Sequence, residues 1–205
     1  MARQNLDQIF HAPWSPIQVK KEDINRSLSW FAETVKKLGD RTSVNALLQN
    51  TKRRTTTIVP GKMYMYLYDA KHAETLPYFD QFPLMIPFSR TAETITGLNF
   101  HYLNYKIRFF LLKNLMDFAT DKKLDEKTKL RFSWDLIRGA SKFAPAKAAV
   151  HTYRFDCVQT QFLEIPPEQW YTAMLMPVEK FVKGKEQYRF NKEMVWRDSI
   201  KRSAG

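Results

Sequence analysis

Apolar and polar positions alternate most strictly just after Gly61, where Met63, Met65 and Leu67 fall to one side of an extended chain and Tyr64, Tyr66 and Tyr68 to the other. Both sides carry bulky side chains, so the spacing predicts a central strand covered on both faces. Downstream, Pro77 and Pro83 bracket the segment LPYFDQFP. Each proline removes a backbone donor and pushes the preceding residue to extended geometry, which predicts an ordered, non-helical crossing that packs Tyr78, Phe79 and Phe82. Residues 84–88 and 94–100 then read as a strand pair, with Gly97 marking a bulge.

Elsewhere the period lengthens to that of a helix. Ile24, Leu28, Phe31 and Val35 line one face of a predicted helix over 21–38, which Gly39 stops, and Val44, Leu47 and Leu48 suit a shorter one over 40–49. Asn104 can cap a helix over 105–119 with Ile107, Phe110, Leu111, Leu115 and Phe118 inward. A second long helix over 125–143 turns Leu130, Trp134, Ile137 and Ala140 or Ser141 to the core, and Pro145 ends that pair. Residues 153–165 return as a strand. Pro166, Pro167 and Glu168 suit a helix start, because proline lacks the N–H that the first turn leaves unpaired and glutamate favours the positive end of the dipole.

These elements predict an α+β fold, with a small, mostly antiparallel sheet over residues 60–100 plus the returning strand, packed helices and extended N- and C-terminal arms. The expected division is an extended arm over 1–20, one domain over 21–180, and a docking tail over 181–205. Phe10 and Trp14 in the arm, and Phe190 and Trp196 in the tail, are apolar anchors spaced along polar sequence, suited to clasping a partner.

Composition adds two constraints. At 205 residues and 44% hydrophobic the chain can bury a sizeable core, and its single cysteine leaves no intrachain disulfide or tetra-cysteine zinc site. Cys157 is expected to be a small buried residue. No apolar run reaches the roughly 18–20 residues that span a bilayer, and the N-terminus has no apolar stretch of secretory type, so no membrane partner is expected.

The net charge of +12 is unevenly spread. Residues 61–120 carry six Lys/Arg against five acids, whereas residues 1–60 carry ten against five and residues 121–165 nine against six. The aromatic centre is thus nearly neutral and the flanks are basic, where a polyanion can be met without disturbing folding. The sharpest clusters are Lys52, Arg53 and Arg54, before the central strand, and Lys122, Lys123, Lys127, Lys129 and Arg131, at the start of the second long helix. Both are candidate phosphate contacts.

Catalytic patterns are weak. His11, His72, His101 and His151 occur singly, without metal-binding spacing, and His101 within NFHYL reads as a packed, hydrogen-bonded residue. Gly61-Lys62 lacks the upstream glycine of a phosphate loop and enters a strand. A metal-dependent nuclease would draw on Asp69, Lys71 and Asp80, but the same loose acid-x-Lys pattern recurs at Asp121 and Asp125. No catalytic residue, metal site or cofactor is expected.

The segments YLYDAK, LPYFDQFPLMIPF and GLNFHYL, followed by an amphipathic helix, and the later PPEQWYTAMLMPVEKF and VWRDS, resemble virion structural proteins of T-even-like contractile-tailed bacteriophages. Within that group the likeness points to the DNA end protector family. The match is densest over 64–118 and thinner in the last third. The resemblance implies a non-enzymatic protein, assembled in the host cytoplasm and carried in the virion, that binds or protects the ends of packaged double-stranded DNA. It also implies that Asp69, Lys71, Asp80 and His101 hold the fold of the crossing. The rival reading is a tail, neck or baseplate subunit that joins portal, tail or other virion proteins without touching DNA.

Overall fold

The structure, a computed structural model, describes residues 51–184 and 188–204. Phe10, Trp14 and the helices expected over 21–38 and 40–49 lie outside them. Nine strands are present among the described residues: β1 (Arg54–Thr55), β2 (Met63–Met65), β3 (Phe79–Asp80), β4 (Leu84–Arg90), β5 (Thr94–Asn99), β6 (Val150–Arg154), β7 (Phe162–Ile165), β8 (Phe181–Lys183) and β9 (Tyr188–Arg189). Five helices accompany them: α1 (Tyr105–Ala119), α2 (Glu126–Ala140), the single turn α3 (Ala144–Lys147), α4 (Pro167–Leu175) and α5 (Lys192–Ala204). The architecture is α+β.

The main sheet runs β1-β7-β2-β4-β5-β6 with antiparallel pairing throughout, and β3-β8-β9 form a second, smaller sheet. As its two-sided pattern requires, β2 is central, with Tyr64 opposite Met85 on one neighbour and Glu164 on the other. Met63, Tyr64, Met65 and Tyr66 are fully buried. The tyrosine side builds an aromatic layer, in which Tyr66 meets Tyr153 and Phe162 edge-on at 5.7 Å and 4.9 Å. Such T-shaped contacts align the positive ring edge with the negative ring face.

The expected strand pair is β4–β5. Its bulge differs in position: Pro87 faces Gly97 and Ser89 faces Thr96, so the extra residue is Phe88 on β4. Gly97 serves the same spot by close approach, since a Cβ there would lie 2.6 Å from the Ile86 carbonyl oxygen. The strand expected over 153–165 is two strands. A 3₁₀ turn at Phe155–Cys157 and an isolated bridge between Tyr68 and Val158 redirect the chain, so β6 forms one edge while β7 inserts between β1 and β2. LPYFDQFP crosses as a short strand in the second sheet, where Phe79 and Asp80 pair with Val182 and Phe181.

Asn104 caps α1 as its position suggests, its Oδ1 accepting from the Ile107 N–H at 3.1 Å. The buried stripe is rotated relative to expectation, comprising Arg108, Leu111, Leu112, Leu115 and Ala119, with Ile107, Phe110 and Phe118 only half-buried. Arg108 turns inward because the Leu103, Met174 and His101 carbonyls and the Glu179 carboxylate converge on its guanidinium. Asp125 caps α2. That helix stops at Ala140, short of residue 143, because Phe143 becomes the N-cap of α3. Its buried positions are Ser133, Leu136, Ile137 and Ala140, while Leu130 and Trp134 are half-buried. Cys157 is buried and unbridged, as expected.

Candidate nucleic-acid interface

The first basic cluster sits where a 3₁₀ turn, Thr51–Arg53, runs into the edge strand β1. Lys52 and Arg54 are exposed. Arg53 is half-buried and donates to the Gln169 side-chain oxygen on α4, so part of its donor capacity anchors the turn. From β1 the chain crosses β7 to reach β2, and Gly61 at φ +87° brings this crossover hard against α2. A Cβ on Gly61 would stand 2.5 Å from the Leu130 carbonyl oxygen. On α2, the Trp134 indole N–H donates to the Phe88 carbonyl at 2.9 Å. Helix α2 is thereby fixed to the crossover and to β4.

Within the second cluster, Lys122 and Lys123 occupy the turn before α2, and they and Lys127 are exposed. Lys129 pairs with Glu126 at 2.8 Å, and Arg131 approaches Asp135 at 3.9 Å. These two are partly neutralised within the helix, leaving Lys52, Lys122, Lys123 and Lys127 as the more open cations. Phe190 and Trp196 are half-buried against the chain itself. The Phe190 ring lies 5.7 Å from that of Tyr78, and the Trp196 indole N–H donates to the His101 carbonyl at 2.8 Å.

The family-like residues of the crossing separate into two groups. Asp69 and Lys71 are exposed, whereas Asp80 and His101 are fully buried. Asp80 Oδ2 accepts from Asn99 Nδ2 at 3.0 Å and meets His101 Nδ1 at 2.7 Å, and Oδ1 accepts the Phe82 N–H at 3.0 Å. Asn99 Nδ2 also donates to the Tyr153 hydroxyl at 2.7 Å. Burial alone would raise the Asp80 pKa, but the charge and hydrogen bond of His101, with Asn99 and Phe82, hold it below the usual carboxylate value. The nuclease trio is therefore divided, since the Asp80 oxygens are already engaged inside the fold. Among the described residues no three His, Cys, Asp or Glu side chains gather as a metal group.

Beside this network opens a cavity of about 410 Å³ that the sequence did not announce, because its walls come from β2–β3 connections, β6 and α5. Tyr68, Tyr78, Tyr102, His151 and Tyr153 line it, with Lys147 and Arg202 among the lining residues. The His151 ring stacks on Tyr102 at 3.8 Å and 29°. Burial pushes the His151 imidazole down to about 4, with the Ala148 carbonyl and the Asp80 charge opposing only in part. Below the unfolded value of about 6.5 the unfolded chain takes up a proton that the folded one refuses, so stability falls as pH drops from there towards about 4. Urea midpoints measured down that range should decline in the native chain and more shallowly in His151→Gln; equal slopes would contradict this assignment.

Among known protein families, the model described as Phage T4 terminal DNA protecting protein matches residues 17–199. The chain belongs to that family. The match spans the described fold as far as Ser199 in α5, so it takes in both basic clusters, the Asp80–His101 network and every residue lining the cavity except Arg202. No curated protein and no solved structure matches the chain. Family membership agrees with the likeness read from YLYDAK, LPYFDQFPLMIPF and GLNFHYL.

Proposed function

We propose that this chain is a non-enzymatic phage virion protein that binds the ends of double-stranded DNA and shields them, holding the duplex through its phosphates. The observation that carries the reading is membership of the terminal DNA protecting family over residues 17–199. The docking of α2 on the β1–β2 crossover through Gly61 and Leu130 supports it, because it fixes the helix that carries part of the second basic cluster to the connection that follows the first. Phosphate contacts suit the task, since an end protector has to accept any terminal sequence and the backbone carries no base identity. Lys52, Lys122, Lys123 and Lys127 are the leading contacts, with Arg53, Arg54, Lys129 and Arg131 contributing what their internal contacts leave.

The test compares blunt linear, covalently closed circular and single-stranded DNA across a salt series. Linear duplex should bind best, with log affinity falling against log salt by about 0.9 per neutralised phosphate. Glutamine at Lys52, Arg54, Lys122, Lys123 and Lys127 together should flatten that slope, by about 0.9 for each residue that touches a phosphate. Equal binding to closed circles would overturn end recognition and favour a neck, tail or baseplate subunit that meets only virion proteins.

A further inference from the structure

The cavity between β6 and α5 has the chemistry of a nucleotide pocket. At about 410 Å³ it falls within the roughly 300–1,000 Å³ range of small-molecule sites. Aromatic rings line it, and two of them have their polar ends tied back into the protein: the Tyr153 hydroxyl accepts from Asn99, and the Tyr78 hydroxyl donates to Asp198 at 2.7 Å. Tyr68 and Tyr153 meet edge-on at 4.9 Å, and Tyr78 and Tyr102 lie 6.1 Å apart at 31°. Flat aromatic surfaces of this kind accept any base, because every base has a π-face.

Positive charge lies beside these rings. Lys147 is exposed, with no ion-pair partner among the described residues. Arg202 lies 5.6 Å over the Tyr78 ring and pairs with Asp198 at 2.8 Å, an i,i+4 contact in which the Arg202 side chain stays exposed. Aromatic walls with two flanking cations complement a base joined to a phosphate, and neither an apolar ligand nor a bare anion uses both parts.

We propose that this cavity receives the terminal nucleotide of a DNA strand, its base among Tyr68, Tyr78, Tyr102 and His151 and its phosphate at Lys147 and Arg202. This deepens the end-binding reading and rests on it for the identity of the occupant. To enter, the terminal base has to leave the duplex stack, a step that costs least for a base already unpaired. A free end can supply such a nucleotide and a closed circle cannot, so the cavity offers a physical reason for end preference that phosphate contact alone lacks. The pocket takes in β6, and the Lys52–Arg54 cluster adjoins β1, at the two ends of the strand order, so the two contacts are tested with separate variants.

The probes are 2′-deoxyadenosine 5′-monophosphate and deoxyadenosine, titrated against the full chain by calorimetry, beside duplexes with blunt ends or one unpaired terminal nucleotide. The monophosphate should bind saturably and about tenfold more tightly than the nucleoside, a difference that the double variant Lys147→Gln, Arg202→Gln should abolish. Leu76→Trp, at an exposed position lining the cavity, should weaken both ligands and remove any advantage of the unpaired end. Unfolding midpoints identify any variant that fails to fold. Absence of saturable monophosphate binding at millimolar concentration, or binding unchanged in both variants, overturns the pocket. Retained preference for linear over circular DNA in that case leaves end protection standing; nucleotide binding without end preference keeps the pocket and sinks end protection.

Discussion

Replacing Arg108 by methionine is expected to cost about 3–5 kcal/mol of folding stability, the usual penalty for removing one partner of a buried ion pair. Arg108 and the Glu179 side chain are almost wholly buried, and their N···O approach is 2.6 Å. The guanidinium also donates to the Leu103, His101 and Met174 carbonyls at 2.7, 2.9 and 3.1 Å, and lies over the rings of Tyr105 and Trp196 at 5.0 and 5.3 Å. Burial pulls the Arg108 pKa below its ordinary value, with Glu179 opposing. Methionine fills the volume but leaves the buried Glu179 carboxylate with only Lys192, at 4.0 Å, and takes a donor from the Leu103 and Met174 carbonyls, while the His101 carbonyl keeps the Trp196 indole. Adding Glu179→Gln should recover part of the loss by removing the stranded charge. Urea unfolding of the single and double variants checks this, and a single-variant loss below about 1 kcal/mol would show that the pair contributes little.

The consequence reaches beyond α1. Arg108 and the Trp196 indole both donate to the His101 carbonyl, and His101 Nδ1 meets Asp80, so the carboxyl-terminal helix, α1 and the crossing share one acceptor. Loosening that point should free α5, which contributes Ser199 and Arg202 to the cavity. Arg108→Met should therefore also weaken nucleotide binding at temperatures where the fold persists.

Gly61→Ala should be nearly as damaging, at about 2–6 kcal/mol. Two costs add: a non-glycine residue at φ +87° carries about 1–3 kcal/mol of backbone strain, and overpacking adds about 1–3 kcal/mol. The second arises because the new Cβ would sit 2.5 Å from the Leu130 carbonyl and 3.4 Å from the Trp134 amide nitrogen, both backbone atoms that cannot rotate aside. Relief requires α2 to move off the crossover, and Lys122, Lys123 and Lys127 shift with it. Wild-type stability together with an unaltered salt slope would contradict this account; a flattened slope in the folded variant is the expected result.

Much of the local structure was legible from short-range pattern. The alternation at 63–68 marked a central strand, Asn104 marked the start of α1 to the residue, and Pro166, Pro167 and Glu168 marked the start of α4. The cavity was not legible, because Tyr68, Tyr102, His151 and Arg202 lie far apart in the chain and carry no mutual spacing. Arg108 was missed for a related reason: an arginine within an amphipathic helix reads as solvent-facing unless its acceptors are known, and Glu179 and Met174 lie some seventy residues on.

By itself, the sequence determined the α+β class, the α1 and α4 starts and the family likeness, because periodicity, capping and proline chemistry act over a few residues and survive in any context that folds. Tertiary structure alone decided that residues 150–165 split between two strands far apart in the sheet order, that α2 docks on Gly61, that Asp80 and His101 pair in the interior, and that six rings and two cations line one cavity. Those outcomes depend on which distant segments meet. Such meetings are selected by the packing of the whole core and by where buried carbonyls and carboxylates find their donors, neither of which a local pattern contains.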